Sequence, residues 1–326
     1  MISVIIPVFN GSSTVGTCLQ SLCSSHYRPF EVIVVDDCST DGSEDIIRQF
    51  SCRLISLGRH RGAAGARNAG AGESSGDVLF FVDADCIVEE DTLARVAEAY
   101  RRNPECVIGG SYAPVSHDDS FYGTFQSVFI NYSELKAPTP DYVASHAMVI
   151  GRDVFGASGG FAEDFMPILE DVEFSHRLKR SGVTLMMDHG ILVRHIFNYD
   201  LGRSFRNAMK KARYWTRYSL GNRDLTQDSG TASRELKLNA LSACLLLLLL
   251  LCFIASRDGL FLLFMGVTAI LNLAVSRHLI RAFFAVKGWH FGLLATLYYC
   301  VVYPWPVIAG GMSGMLWYFA TRRAAS

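Results

Sequence analysis

At 326 residues the chain exceeds the ~100–200 residues usual for one domain, so a large domain with an appendage, or two domains, is expected and a small disulfide-stapled module is excluded. Thirty Lys and Arg against 31 Asp and Glu leave a net charge of -1, which excludes an overall nucleic-acid binder, because neutralising phosphates takes a strongly basic face. Half of the residues are hydrophobic and the mean hydropathy is +0.23, too apolar for a disordered chain and high for a purely soluble enzyme.

Residues 1–190 alternate strand and helix signals. Runs at 3–6, 32–35 and 79–82 are short and β-branched or apolar, and each ends at Pro or Asp, as buried parallel strands do when they deliver loops to one sheet edge. Helical stretches at 12–22, opened by a Ser/Thr cluster, and 44–50 separate them. The alternation predicts an α/β sheet with ligands beyond the strands' carboxyl ends, where Asp36–Asp37 and Asp83–Asp85 fall. Two carboxylates spaced Asp-x-Asp after a buried strand cannot be satisfied by that strand, and a hard divalent cation bridging them to a diphosphate supplies the missing charge. The segment from Gly62 to Gly70 is glycine- and alanine-rich, which permits close backbone approach, and its Arg67 offers a fixed cation for phosphate or sugar, although a tightly packed helix explains the same composition. Further on, Gly159-Gly160-Phe161 precedes Glu170-Asp171. Paired carboxylates at a helix start are favoured by the macrodipole, and a carboxylate at a cleft mouth is also what deprotonating an alcohol requires.

From 194 to 237, ten Lys and Arg face four acidic residues, with Phe205, Met209, Tyr214, Trp215 and Tyr218 interleaved, the mixture expected of a helix in the headgroup layer of an anionic membrane. Residues 238–256, 259–276 and 291–320 are free of charge and are expected to be three membrane spans. The N-terminus carries no basic region followed by an apolar run, so no cleaved signal peptide is expected. The positive-inside rule puts 194–237 in the cytosol and the turn at Arg257-Asp258 outside; Pro304, Pro306 and Gly310-Gly311 interrupt the last stretch, which is expected to cross once with a kink rather than re-enter. Nine cysteines without a Cys-x-x-Cys pair read as reduced apolar filler of a cytosolic domain.

Val4-Ile5-Ile6-Pro7-Val8-Phe9-Asn10, Val34-Val35-Asp36-Asp37-Cys38-Ser39-Thr40-Asp41, Gly65-Ala66-Arg67-Asn68, Asp83-Ala84-Asp85, and Gly159-Gly160-Phe161 with Glu170-Asp171, in this order, resemble the family 2 glycosyltransferases with the GT-A fold. The resemblance implies a GT-A catalytic domain over about 1–200, to which composition adds a basic interfacial segment at 201–237 and an α-helical transmembrane region at 238–326. It implies inverting transfer from a nucleotide-diphospho-sugar, with UDP- or GDP-sugars as donors and Mg²⁺ or Mn²⁺ as cofactor. By likeness, Pro7, Asn10, Asp36 and Asp37 line the nucleoside pocket, Arg67 approaches the nucleotide, Asp83 the ribose or donor, and Asp85 the metal. Asp171 is the general base; His195 stands where many relatives place a His near the metal or diphosphate, and His146, with Glu170, falls on the acceptor side. A structural role explains either histidine equally well. Lys211-Ala212-Arg213-Tyr214-Trp215 departs by an inserted Tyr from the Gln-x-x-Arg-Trp motif of processive synthases, which argues against polymer synthesis. The Glu-Asp pair favours a hydroxyl acceptor, lipid or lipid-linked, over a polyprenyl phosphate, which is already anionic. A membrane-anchored binder of nucleotide sugars is the non-catalytic alternative. The expected location is the inner (cytoplasmic) membrane, multi-pass, with the catalytic domain cytosolic.

Overall fold

A computed structural model describes residues 1–325; Ser326, the last residue of the expected membrane region, lies outside the described residues. The chain divides into two compact units, Met1–Gly123 with Glu134–Asn198, and Thr124–Ser133 with the segment from Tyr199 onward.

The first unit is built on eight strands: β1 (Ile2–Val8), β2 (Phe30–Asp36), β3 (Arg53–Ser56), β4 (Val78–Val82), β5 (Cys86–Val88), β6 (Val107–Tyr112), β7 (Ala147–Gly151) and β8 (Leu185–His195). Its helices are α1 (Val15–Cys23), α2 (Ser43–Ile47), α3 (Gly62–Gly72), α4 (Thr92–Arg102), α5 (Phe121–Leu135, whose middle belongs to the second unit), α6 (Arg152–Ala157) and α7 (Glu170–Arg180). The strands form one sheet in the order β3-β2-β1-β4-β7-β6-β8-β5. The three strands expected from sequence, β1, β2 and β4, are mutually parallel and almost wholly buried. Beyond β4 the sheet is mixed, because β7 runs antiparallel to both β4 and β6. A strand covered on both faces has no alternation to betray its direction, so Ala147-Met148-Val149-Ile150-Gly151 reads the same either way.

That reversal positions the site. Val82 lies opposite Ala147, so the residue entering β7, His146, meets the residue leaving β4, Asp83. Likewise Cys86 pairs with His195, which brings the end of β8 beside Asp85. Behind β4, the rings of Phe81, Phe155, Phe161 and Phe174 pack with centroids 4.6 to 5.6 Å apart and seat α7 on the sheet. Gly70 lets α3 lie against β1, where a methyl would sit 2.5 Å from Ile5 Cγ2.

The second unit contains α8 (Leu201–Asn222), α9 (Arg234–Ser256), α10 (Leu260–Val275), α11 (Arg277–Leu297), a π-helical turn (Tyr298–Val302) and α12 (Pro304–Ala325). The basic stretch is thus split between α8 and the first turn of α9, with an irregular segment between them. Asp200 caps α8, accepting from Arg203 N–H at 2.6 Å, and Ser233 caps α9, accepting from Leu236 N–H at 3.1 Å. Two helical stretches, Arg234–Ser256 with mean hydropathy 2.6 and Arg277–Arg322 with 1.5, are long and apolar enough to cross a membrane; α10 has 16 residues and is shorter. The helical path of α11 breaks at Lys287 and Gly288, the latter at φ +72°. The π turn precedes Pro304: prolines 304 and 306 have no N–H, and the ladder shifts to a five-residue bond from Tyr303 N–H to Tyr298 O at 2.8 Å. Gly310 and Gly314 allow α12 to lie directly on α8, since a methyl at either would overlap the carbonyl oxygens of Met209 and Arg213. Buried Asn272 donates to Asn239 Oδ1 at 2.8 Å, and Asn239 to Tyr299 O at 2.7 Å, tying three apolar segments through polar bonds.

Candidate active site

At one rim of the sheet β1 and β2 end side by side, with Asp37 N–H donating to Val8 O at 2.8 Å. Asn10, at φ +51°, turns the chain so that its N–H donates to Ser39 Oγ at 2.8 Å and its Oδ1 accepts from Thr40 N–H at 2.9 Å. Asp36 Oδ2 accepts from Ser39 N–H at 3.1 Å, while its buried Oδ1 has no hydrogen-bond partner among the described residues. Asp37 Oδ1 accepts from Arg61 N–H at 2.7 Å, and its Oδ2 lies 2.9 Å from His60 Nδ1. Pro7 is half-buried inside β1. The structure therefore gathers Asn10, Asp36 and Asp37 and adds a residue pair the sequence reading missed: Phe9, 52% exposed, whose ring stands 4.4 Å from that of His60. A large apolar residue left exposed just beyond a buried strand is the signal that marks it.

Arg67 is almost fully buried. It donates to Asp83 Oδ1 and to Glu170 Oε1, each at 2.7 Å, so one guanidinium joins α3, the end of β4 and the start of α7. Burial opposes its charge, and the two carboxylates more than offset that. Asn68, next in sequence, clamps the Gly-Gly-Phe turn, with Phe161 N–H donating to its Oδ1 and its Nδ2 donating to Phe161 O, both at 2.9 Å. Gly159 and Gly160 adopt φ of +78° and +69°, which only glycine takes without strain. Arg61 and Glu163 form a bidentate pair that fastens the following loop.

Burial would raise the Asp83 carboxyl, but Arg67, His146 and His195 pull it below the ordinary carboxylate range. Asp85 is raised by desolvation and by neighbouring Asp83, against the pull of His195. Its Oδ2 lies 3.3 Å from His195 Nε2, and its backbone oxygen accepts from Ile196 N–H at 2.8 Å. Asp85 and His195 thus present one oxygen and one imidazole nitrogen side by side at the cleft, a donor pair that suits Mn²⁺ or Mg²⁺ when diphosphate and water oxygens complete the shell. Among the described residues no group of three or more His, Cys, Asp or Glu could hold a metal ion without such help.

Asp171 opens α7 beside Glu170, after Leu169 at φ +75°, a strained conformation for a branched residue. Its Oδ2 accepts from Ser145 N–H at 3.2 Å. Desolvation, with Glu170 adding to it, pushes the Asp171 carboxyl up to about 6, the range of a general base working near neutrality. His146, the neighbour of Ser145, is buried and stacked on Tyr112 at 4.0 Å, with Nε2 3.5 Å from Glu134 Oε2. Tyr112 and Glu134 are the other residues the sequence reading missed.

The sequence model of Glycosyl transferase family 2 matches residues 3–155. Glycosyltransferase AglE of Haloferax volcanii is 28% identical over 225 residues, 66% of this chain and 74% of AglE. Among solved structures, the mannosyltransferase PcManGT from Pyrobaculum calidifontis, in complex with GDP-Man and Mn²⁺, superposes with a TM-score of 0.60 at 16% identity, covering 96% of this chain and 86% of that one. S. aureus TarS 1-349 in complex with UDP-GlcNAc gives 0.53 at 17% identity, covering 99% and 92%. Over residues 3–155 the chain is similar to the family 2 glycosyltransferases. Its mixed sheet with flanking helices is the GT-A fold. The matched segment runs from β1 through β7 and includes Asp36, Asp83, Asp85 and His146. It stops short of Glu170, Asp171 and His195, which the tertiary structure brings to Arg67, Ser145 and Asp85 respectively.

Proposed function

We propose that this chain is a membrane-bound, inverting glycosyltransferase, and that it moves a sugar from a UDP- or GDP-linked donor to a hydroxyl of a lipid or lipid-linked acceptor. The observation that carries the reading is Asp171, a carboxylate raised to about 6 and held at the start of α7 by Ser145 N–H. In the transfer, Asp171 takes the acceptor's hydroxyl proton as that oxygen attacks the anomeric carbon. The bond from that carbon to the diphosphate breaks, and the nucleoside diphosphate leaves with its electron pair, so configuration inverts. Base catalysis of this kind contributes ~10²–10⁴ in rate. Asp85 and His195 would hold the divalent ion, which supplies Lewis-acid neutralisation of the leaving diphosphate. Asn10, Asp36 and Asp37 would receive the nucleoside. Nucleotide sugars accompany both fold relatives, GDP-Man in PcManGT and UDP-GlcNAc in TarS. The apolar length of Arg234–Ser256 supports attachment to the inner membrane, with the catalytic unit on the cytosolic side where nucleotide sugars are made.

The test is to incubate membranes containing the protein with a panel of radiolabelled UDP- and GDP-sugars, extract lipids, and repeat in excess EDTA. A single labelled lipid product, lost with EDTA, is expected. Label confined to free nucleotide sugar with every donor, or full transfer in EDTA, contradicts the reading.

A further inference from the structure

His146 and Glu134 form a buried acid–imidazole pair that the transfer chemistry above does not use. Glu134 ends helix α5 and accepts from Ser111 Oγ at 2.6 Å; both residues are buried. His146 Nε2 faces the same carboxylate oxygen at 3.5 Å, and its ring lies on Tyr112. Antiparallel β7 sets His146 beside Asp83, while the preceding peptide, Ser145 N–H, bonds Asp171. The imidazole is therefore within electrostatic reach of both Asp83 and Asp171.

We infer that the Glu134–His146 pair is a positioning device for the transfer: Glu134 keeps His146 cationic, and that buried charge holds Asp171 in its carboxylate form. The inference rests on Asp171 acting as the base. Charge bookkeeping at the site supports it. Without His146 the cleft gathers Asp83, Asp85, Glu170 and Asp171 around Arg67, and Arg67 is already committed to Asp83 and Glu170. The groups facing His146 are Glu134 from α5, Asp83 and Asp85 after β4, Asp171 from α7 and Tyr112 from β6, with His195 across the Tyr112 ring at 4.9 Å. Burial opposes a cationic His146, and Glu134, then Asp83 and Asp171, outweigh it and raise the imidazole above its ordinary value. Against desolvation and Glu170, Arg67 and the Ser145 N–H lower Asp171 first, and His146 adds to them.

The test compares the pH dependence of kcat in wild type, His146→Gln, Glu134→Gln and the double variant, at saturating divalent ion. Gln at 134 keeps an acceptor for Ser111, so this variant preserves the packing if His146→Gln disturbs it. Loss of the nearby cation should move the acidic limb upward by about 0.5–1 pH unit in either single variant. The double variant should move no further, because Glu134 acts through His146. A limb and an Asp171 titration that both stay in place while kcat merely drops, or a Glu134→Gln shift that persists in the His146→Gln background, overturns the inference. Thermal unfolding against pH separates this from failure of the base assignment. The pH at which Asp171→Asn ceases to stabilise the protein reports Asp171 titration without any turnover, and it should rise in the His146→Gln background. If that pH moves and the kcat limb does not, the pair tunes Asp171 but Asp171 is not the base.

Discussion

Replacing Asp171 by Asn should stabilise the folded protein at neutral pH while abolishing transfer. Burial moves this carboxyl from the ordinary 3.8 to about 6, so at pH 7 the folded state holds an ionised group in surroundings that disfavour it. At ~1.4 kcal/mol per pH unit the shift corresponds to about 3 kcal/mol. Asp171 still opens partly to the cleft, and solvent screening reduces this to about 1–2 kcal/mol. Asn keeps the shape and an acceptor for Ser145 N–H. For a unit of this size the gain is a rise in Tm of roughly 3–6 °C at pH 7, read by differential scanning fluorimetry in detergent. The sign follows from a raised acid: its cost is full above the folded-state value and is relieved as pH falls through about 6 towards 3.8, so the gain should fade over that interval. A Tm that is unchanged or lower at pH 7, or a gain equally large at pH 4, would refute the electrostatic argument.

Arg67→Met leaves Asp83 and Glu170 facing each other without their shared cation and should cost about 3 kcal/mol, measured by chemical unfolding; a loss under 1 kcal/mol would mean the carboxylates are solvated instead. Gly160→Ala forces a side chain into φ +69° and brings its methyl to 2.6 Å from Asn68 Oδ1, so a loss of ~2 kcal/mol is expected. Gly156→Ala, where a methyl meets nothing within 4 Å, should change stability little in the same assay.

Much of the fold is legible because β1, β2 and β4 carry short apolar runs with Pro or Asp at or near their carboxyl ends, a pattern expected of buried interior strands. The direction of β7 is not legible, and with it goes the juxtaposition of His146 and Asp83, since continuous burial erases the period-two signal. Arg67 illustrates a different limit. Its motif is visible, but a lone arginine in a glycine-rich segment does not announce its carboxylate partners, Asp83 and Glu170, which only the ends of β4 and α7 arriving together supply. Glu134 is the one charged residue of a helix of aromatic, apolar and neutral polar residues, where a single carboxylate carries no pattern; its partner Ser111 is 23 residues away in sequence. The prolines of the last apolar stretch announce an irregularity without saying which, and the structure resolves them as a π turn inside a helical run.

The central claim, that Asp171 acts on the acceptor and not on the donor, is tested most directly by single-turnover transfer in Asp171→Asn alongside the affinity of the same protein for its nucleotide sugar. The account predicts that transfer falls by at least ~10², while donor Kd stays within a few-fold of wild type. Near-normal transfer, or loss of donor binding together with transfer, would contradict it.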